Sequence, residues 1–204
     1  RVEQLPFDTS LASTDVAVAQ RWLERLELAG FDGVIAKRLD MPYRPGERDA
    51  VAKVKHHRAA DCVVVGVRWK APAEGEVPEV VATLLLGLYD EEGELRHVGS
   101  TSASAKKRQA EVASHVLPLI VGDPSTDPVG PPNRWQQKEG LPWSAVEPEA
   151  VVEVRYDKWE GSRFRHGTRL MRFRPDKDPD QCTFEQVTQR PGPDDPTVYS
   201  LLAS

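Results

Sequence analysis

Three short segments of the chain combine residue types that handle phosphate. The first is Asp32-Gly33-Val34-Ile35-Ala36-Lys37, where a carboxylate and an ammonium bracket a short apolar run. The glycine lets a ligand approach the backbone closely. Asp32 suits Mg²⁺ and Lys37 a phosphate oxygen; the bland alternative is a turn aspartate and a solvated lysine. Their spacing puts the two side chains on opposite faces of a regular strand, so joint action needs one of them off the strand end. The second is Ala52-Lys53-Val54-Lys55. Extended backbone places Lys53 and Lys55 on one face, where a bound phosphate relieves their repulsion; an exposed edge guarded by lysines fits equally well. The third is Arg169-Leu170-Met171-Arg172-Phe173-Arg174-Pro175-Asp176-Lys177. Period-two alternation predicts Met171 and Phe173 in a core, with Arg172 and Arg174 outward. Guanidinium forks take phosphate bidentately, and Asp176 is placed to orient Arg174 or Lys177. A surface ion-pair network is the alternative.

The charge is segregated. The chain has 204 residues and a net charge of −5, yet 37–58 carries +4 and 158–177 carries +5, which leaves −14 for the rest. Such a pattern suits a polyanion site on an acidic body, or two solvated faces. No apolar run reaches the ~18 residues of a membrane span. Two cysteines, Cys62 and Cys182, exclude a disulfide scaffold and a four-cysteine zinc site, and cytosol is the default compartment. The chain starts at Arg1 without a basic-then-apolar leader and reads as a fragment or a processed chain. GxxxxGK[ST], GxGxxG and HExxH are absent, so phosphate-loop, dinucleotide and zincin readings lack their signatures.

The elements that must position these segments follow from periodicity. A helix is predicted over Thr14–Ala29 with Thr14 as its cap, then a strand over Phe31–Arg38, a loop over Met41–Asp49 and a short strand over Ala50–Lys55. Beyond Ala59, strands are predicted over Asp61–Trp69, Val80–Asp90, Leu95–Thr101, Val151–Trp159 and Thr168–Arg174, and one helix over Ala103–Val121. The stretch 122–148, with six prolines, reads as a long loop. Five strands with a helix inserted after the third is the pattern of an OB-type barrel. The fold class is therefore α+β: residues 1–57 as the end of one domain, 58–204 as an OB-fold domain.

DGVIAK, then KVK, then a C-terminal RFRPDK closely resemble the fourth, fifth and sixth motifs of the covalent nucleotidyltransferases. The flanks AKRLDMPYRPGERDAVAKVKHHRAADCVVVGVR and VVEVRYDKWEGSRFRHGTRLMRFRPDKDP resemble bacterial ATP-dependent DNA ligases of the small repair type often called ligase C. The resemblance covers nearly the whole chain. It implies a nucleotidyltransferase domain followed by an OB domain, with ATP and Mg²⁺ or Mn²⁺ as cofactors and nicked double-stranded DNA as partner. A lysine takes AMP from ATP, AMP passes to the 5′-phosphate of a nick, and the 3′-hydroxyl displaces it. By position, Asp32 resembles the metal-binding acid and Lys37 the terminal lysine of the fourth motif. Lys53 and Lys55 resemble the lysines at the α-phosphate. Arg172, Arg174, Asp176 and Lys177 resemble the sixth motif, which meets the β- and γ-phosphates during self-adenylation. It also implies a monomer in the bacterial cytosol, with no membrane.

One departure matters. Gly30 stands two residues before Asp32-Gly33, so no KxDG is present and the nucleophilic lysine is missing. The chain is expected to be unable to self-adenylate, to begin partway through the first domain, and to need the upstream part of the same ligase as a partner. His56–Ala60 is the expected hinge. A non-catalytic OB module binding DNA, and an RNA ligase or capping nucleotidyltransferase, are the alternatives. His56, His57 and Cys62 make an incomplete zinc set. Trp69, Trp135, Trp143 and Trp159 read as core or loop anchors.

Overall fold

The computed structural model describes residues 11–26, 31, 33–47, 49–55, 57–70, 80–125 and 142–188. These separate into two compact units, 11–55 and 57–188. The first holds α1 (Val16–Leu26), β1 (Val34–Lys37) and β2 (Val51–Val54). The second holds β3 (Arg58–Trp69), β4 (Val81–Tyr89), β5 (Leu95–Ser102), α2 (Lys106–His115), β6 (Ile120–Ser125), β7 (Trp143–Val146), β8 (Val151–Tyr156), β9 (Trp159–Glu160), β10 (Arg163–Phe164) and β11 (Arg169–Phe173). Among the described residues no helix is long and apolar enough to cross a membrane.

In the first unit, Asp15 rather than Thr14 starts α1. Its Oδ1 accepts the Ala17 amide at 2.8 Å, which satisfies an orphan donor and sets a negative charge at the positive helix end. β1 and β2 pair antiparallel, with Val34 opposite Val54 and Lys37 opposite Val51. Ion pairs Arg38–Asp40 and Arg44–Glu47 tie the connection between them. Gly33 enters β1 with φ +141°, and a Cβ there would overlap the Val54 carbonyl oxygen. The hairpin closes because this position has no side chain.

In the second unit the main path of strands runs β11-β8-β3-β4-β5. Its ends meet. Thr101 and Thr168 form a parallel bridge, the Thr168 amide donates to the Ser100 carbonyl at 3.0 Å, and the Thr101 hydroxyl donates to the Thr168 carbonyl at 3.1 Å. Five strands thus close on themselves with α2 after the third, the arrangement of an OB barrel. Leu84, Leu86, Leu88, Val63, Val98, Val152 and Val112 fill the interior. Leu85, on the other face of β4, lies over Gly66 beside Trp143, where a Cβ on Gly66 would crowd both. β4 is therefore buried on both faces, as its continuous apolar run demands.

The structure corrects several expectations. The helix predicted to Val121 stops at His115. Pro118 sits in a 3₁₀ turn, Leu117–Leu119; it has no amide to donate back along an α-helix and its ring crowds the preceding turn. Ile120 and Val121, both β-branched, open β6 instead. β6 pairs with β7, and β7 with β3, so both ends of the proline-rich stretch are strand rather than loop. The prolines among its described residues sit where a ladder tolerates them: Pro142 before β7, Pro148 after it, and Pro124 where the β6 register slips. β8 ends at Tyr156, and a small β9–β10 hairpin turning at Gly161 replaces the predicted continuation. Arg58, Ala59 and Ala60, expected in a hinge, are laddered to Tyr156, Arg155 and Val154 as the start of β3.

The alternation in β11 also breaks. The register against β8 shifts between Leu170 and Arg172, so Met171 is the extra residue of a β-bulge. Met171 is 41% exposed, while Leu170 and Phe173 pack on the core. Met171 was expected inside; the bulge turns it out and keeps Arg172 outward as well.

Candidate functional site

The β1–β2 register decides where the first cations point. Ile35 faces Lys53 and Lys37 faces Val51, so Lys37 and Lys53 lie on one face as diagonal neighbours. That juxtaposition depends on the close approach at Gly33. Lys55 follows β2 and is half-buried. A cavity of about 210 Å³ opens beside Lys37 and Arg38, with Asp49 on its rim. Asp32 lies outside the described residues, as do His56 and Trp135. Among the described residues no group of three or more His, Cys, Asp or Glu side chains is placed to hold a metal ion.

Arg172, Arg174, Asp176 and Lys177 form a compact ion-paired turn at the end of β11. The Arg174 amide donates to the Val151 carbonyl at 2.8 Å and the Lys177 amide to the Arg174 carbonyl at 3.2 Å, which fixes the backbone. Arg172 Nε donates to Glu153 Oε2 at 2.7 Å. Arg174 binds Asp176 through Nε and Nη2, both at 2.9 Å, and binds Asp61 through Nη1 at 3.0 Å. Lys177 Nζ lies 3.2 Å from Asp61 Oδ2. Hydrogen bonding between Arg174 and Asp176 raises the pKa of the guanidinium and lowers that of the carboxyl, so both stay charged.

α2 braces this turn from behind. Arg108 Nη2 donates to the Met171 carbonyl of the bulge at 2.7 Å, and His115 stacks on Phe173 with ring centroids 4.8 Å apart. Trp69 and Trp159 pack against the core, and the Trp69 indole donates to Ser144 Oγ at 3.1 Å. They are anchors, as their sequence context suggested.

Arg172, Arg174, Asp176 and Lys177 are therefore brought together in one unit, and Lys37 and Lys53 in the other. The structure adds Asp61, Glu153 and Gln186, which the sequence reading missed. Asp61 offered one signal, an acid heading a strand whose next residues are buried; Gln186 offered none.

Residues 78–177 match the family model described as the ATP dependent DNA ligase C terminal region. The chain belongs to this ligase family. DNA ligase C1 of Mycolicibacterium smegmatis is 42% identical over 194 residues, 93% of this chain and 52% of its own length. DNA ligase C of Mycobacterium tuberculosis is 39% identical over 200 residues, 92% of this chain and 54% of its own. The solved ligase domain from M. tuberculosis LigD is 31% identical, covers 79% of this chain and 48% of its own, and has a TM-score of 0.47. The chain thus spans about half the length of the curated ligases it matches. The ligase family model takes in the Arg172–Lys177 turn, whereas Lys37 and Lys53 lie upstream of it.

Proposed function

We propose that this chain is the C-terminal part of an ATP-dependent DNA ligase of the bacterial cytosol. The whole enzyme seals nicks between a 5′-phosphate and a 3′-hydroxyl in double-stranded DNA, through enzyme–AMP and DNA–adenylate intermediates. Residues 1–57 belong to the end of its nucleotidyltransferase domain and 58–204 to its OB domain. The observation that carries the reading is the hairpin register placing Lys37 and Lys53 on one face. Two ammonium groups on a short, glycine-closed hairpin are a seat for an anion, and each ligase step moves negative charge onto phosphoryl oxygens. Lys53 and Lys55 serve the α-phosphate and Lys37 a neighbouring phosphate oxygen. Arg172, Arg174 and Lys177 serve the β- and γ-phosphates, with Asp176 orienting Arg174. Asp32 takes the divalent ion, which would neutralise phosphate charge and polarise the reacting group. The nucleophilic lysine comes from the upstream part of the same enzyme, which works as a monomer.

Two experiments test this. Incubated with labelled ATP and Mg²⁺, this chain is expected to form no covalent AMP adduct; a labelled band would place a nucleophile inside it. In a ligase carrying its upstream part, Lys53→Ala is expected to slow single-turnover adenylation or sealing by roughly 100-fold, the scale of one lost transition-state donor. Unchanged rates in both steps would remove Lys53 from the chemistry and favour a module that only binds DNA.

A further inference from the structure

Asp61 stands near the start of β3, and its side chain is only 12% exposed. Its carboxylate bridges two cations. Arg174 Nη1 donates to Oδ1 and Oδ2 at 3.0 and 3.2 Å, and Lys177 Nζ lies 3.2 Å from Oδ2. Its backbone is clamped by one side chain: the Asp61 amide donates to Gln186 Oε1 at 3.0 Å, and Gln186 Nε2 donates to the Asp61 carbonyl at 3.2 Å. Only the Asp61 side-chain torsions remain to move. Across the ladder Asp61 faces Glu153, an arrangement of like charges that disfavours pairing. Arg172 balances Glu153, and Arg174 with Lys177 balances Asp61.

The Arg174 fork is occupied on both sides. Asp176 takes Nε and Nη2, and Asp61 takes Nη1. A phosphate that takes the Nε–Nη2 fork has to displace Asp176, and one that bridges Nη1 and Lys177 Nζ has to displace Asp61. Asp176, 61% exposed, holds Arg174 alone, whereas Asp61 holds both Arg174 and Lys177. A phosphate group reaching both cations therefore has to take the seat of the Asp61 carboxylate. Carboxylate and phosphate present similar oxygen pairs to a guanidinium, so the outcome of the exchange depends on how much more charge the incoming ligand brings.

We infer that Asp61 is an internal stand-in for phosphate, keeping Arg174 and Lys177 together and neutralised until a polyphosphate displaces it. This rests on the reading of Arg172–Lys177 as a polyphosphate-binding turn. Binding there is an exchange, not a simple capture. A single phosphate group gains little from the exchange, while a chain of phosphates gains enough, so Asp61 sets a threshold of ligand charge.

The test uses this chain with inorganic tripolyphosphate and inorganic phosphate as probes, followed by calorimetry. Asp61→Asn keeps the shape and removes the charge. It is expected to bind tripolyphosphate about tenfold more tightly than wild type and to bind inorganic phosphate detectably; a merely structural Asp61 would give weaker binding. In the wild type, saturating tripolyphosphate is expected to move the ¹³C resonance of the Asp61 side-chain carboxyl. Should Asp61→Asn fail to fold, that resonance decides alone, and an unmoved signal overturns the stand-in role. If Arg174→Ala abolishes binding while Asp61→Asn leaves it unchanged or weakened, the stand-in role falls and the ligase reading stands. If neither wild type nor Asp61→Asn binds tripolyphosphate, both fall.

Discussion

Gly33→Ala is the perturbation that separates a required hairpin from an incidental one. Backbone at φ +141° is nearly closed to L side chains, at a cost of about 1–3 kcal/mol. The new Cβ would also overlap the Val54 carbonyl oxygen and lie 3.1 Å from Lys55 Cα. Restoring an ordinary carbon–oxygen contact parts the strands by about 1 Å. Ladder hydrogen bonds near 2.9 Å then stretch to nearly 4 Å and cease to count, each worth about 1 kcal/mol net. The combined loss, about 3 kcal/mol, exceeds what a two-stranded hairpin holds on its own. Amide hydrogen exchange across 34–37 and 51–54 should accelerate tenfold or more. Gly46→Ala is the control: its φ is also positive, +83°, but nothing lies near the added Cβ, so only about 1 kcal/mol is at stake. In a ligase carrying the upstream part, Gly33→Ala should slow sealing roughly 100-fold, because a 1 Å displacement of positioning groups has effects of that order. Wild-type exchange rates in Gly33→Ala would refute the idea that this glycine sets the Lys37–Lys53 face.

Other expectations follow from the barrel. Burial, then the charges of Arg68 and Arg163, hold the His97 pKa below its usual value, so the unfolded chain binds more protons as pH falls through about 6.5. Its contribution is full above that pH and is lost below it; urea midpoints should drop between pH 7.5 and 5.5, and less so in His97→Gln. Leu84→Ala, at a fully buried site, should lower stability by about 3 kcal/mol and the melting temperature by on the order of 10 °C, against under ~0.5 kcal/mol for Val121→Ala on the surface. Arg108→Ala removes the donor to the Met171 carbonyl, and amide exchange should quicken across 170–174 while α2 stays protected.

Much of this was legible in the sequence because the physics is local. Runs of Val and Leu bounded by turn residues marked β3, β4 and β5, and those strands with α2 after the third gave the barrel. What was not legible depends on interactions distant in the chain or on a broken period. Strict alternation sent Met171 inward, and one inserted residue in the pairing with β8 turns it outward. Prolines hid β6 and β7, since proline density signals a loop and nothing in the sequence marks Pro124, Pro142 and Pro148 as falling at strand margins or a register slip. The lysines at 37 and 53 were readable as residue types, yet their shared face is fixed only by cross-strand register. Gln186 reaches Asp61 across 125 positions of sequence, and nothing at either residue announces the other.

The turn after β11 gathers opposite charges, Arg174 and Lys177 against Asp61 and Asp176. An anion that binds both of these cations gains only what remains after displacing a carboxylate. If this turn serves the outer phosphates of ATP, the exchange runs in both directions. Release of pyrophosphate would free Arg174 and Lys177, and Asp61, held by Gln186 within reach, would take them back. The cations would then be paired with Asp61 again once the adenylyl group had been transferred, and would no longer compete for the phosphates of the DNA. Removing the Asp61 charge should therefore slow the steps after adenylation more than adenylation itself; equal effects on both would argue against a resetting role.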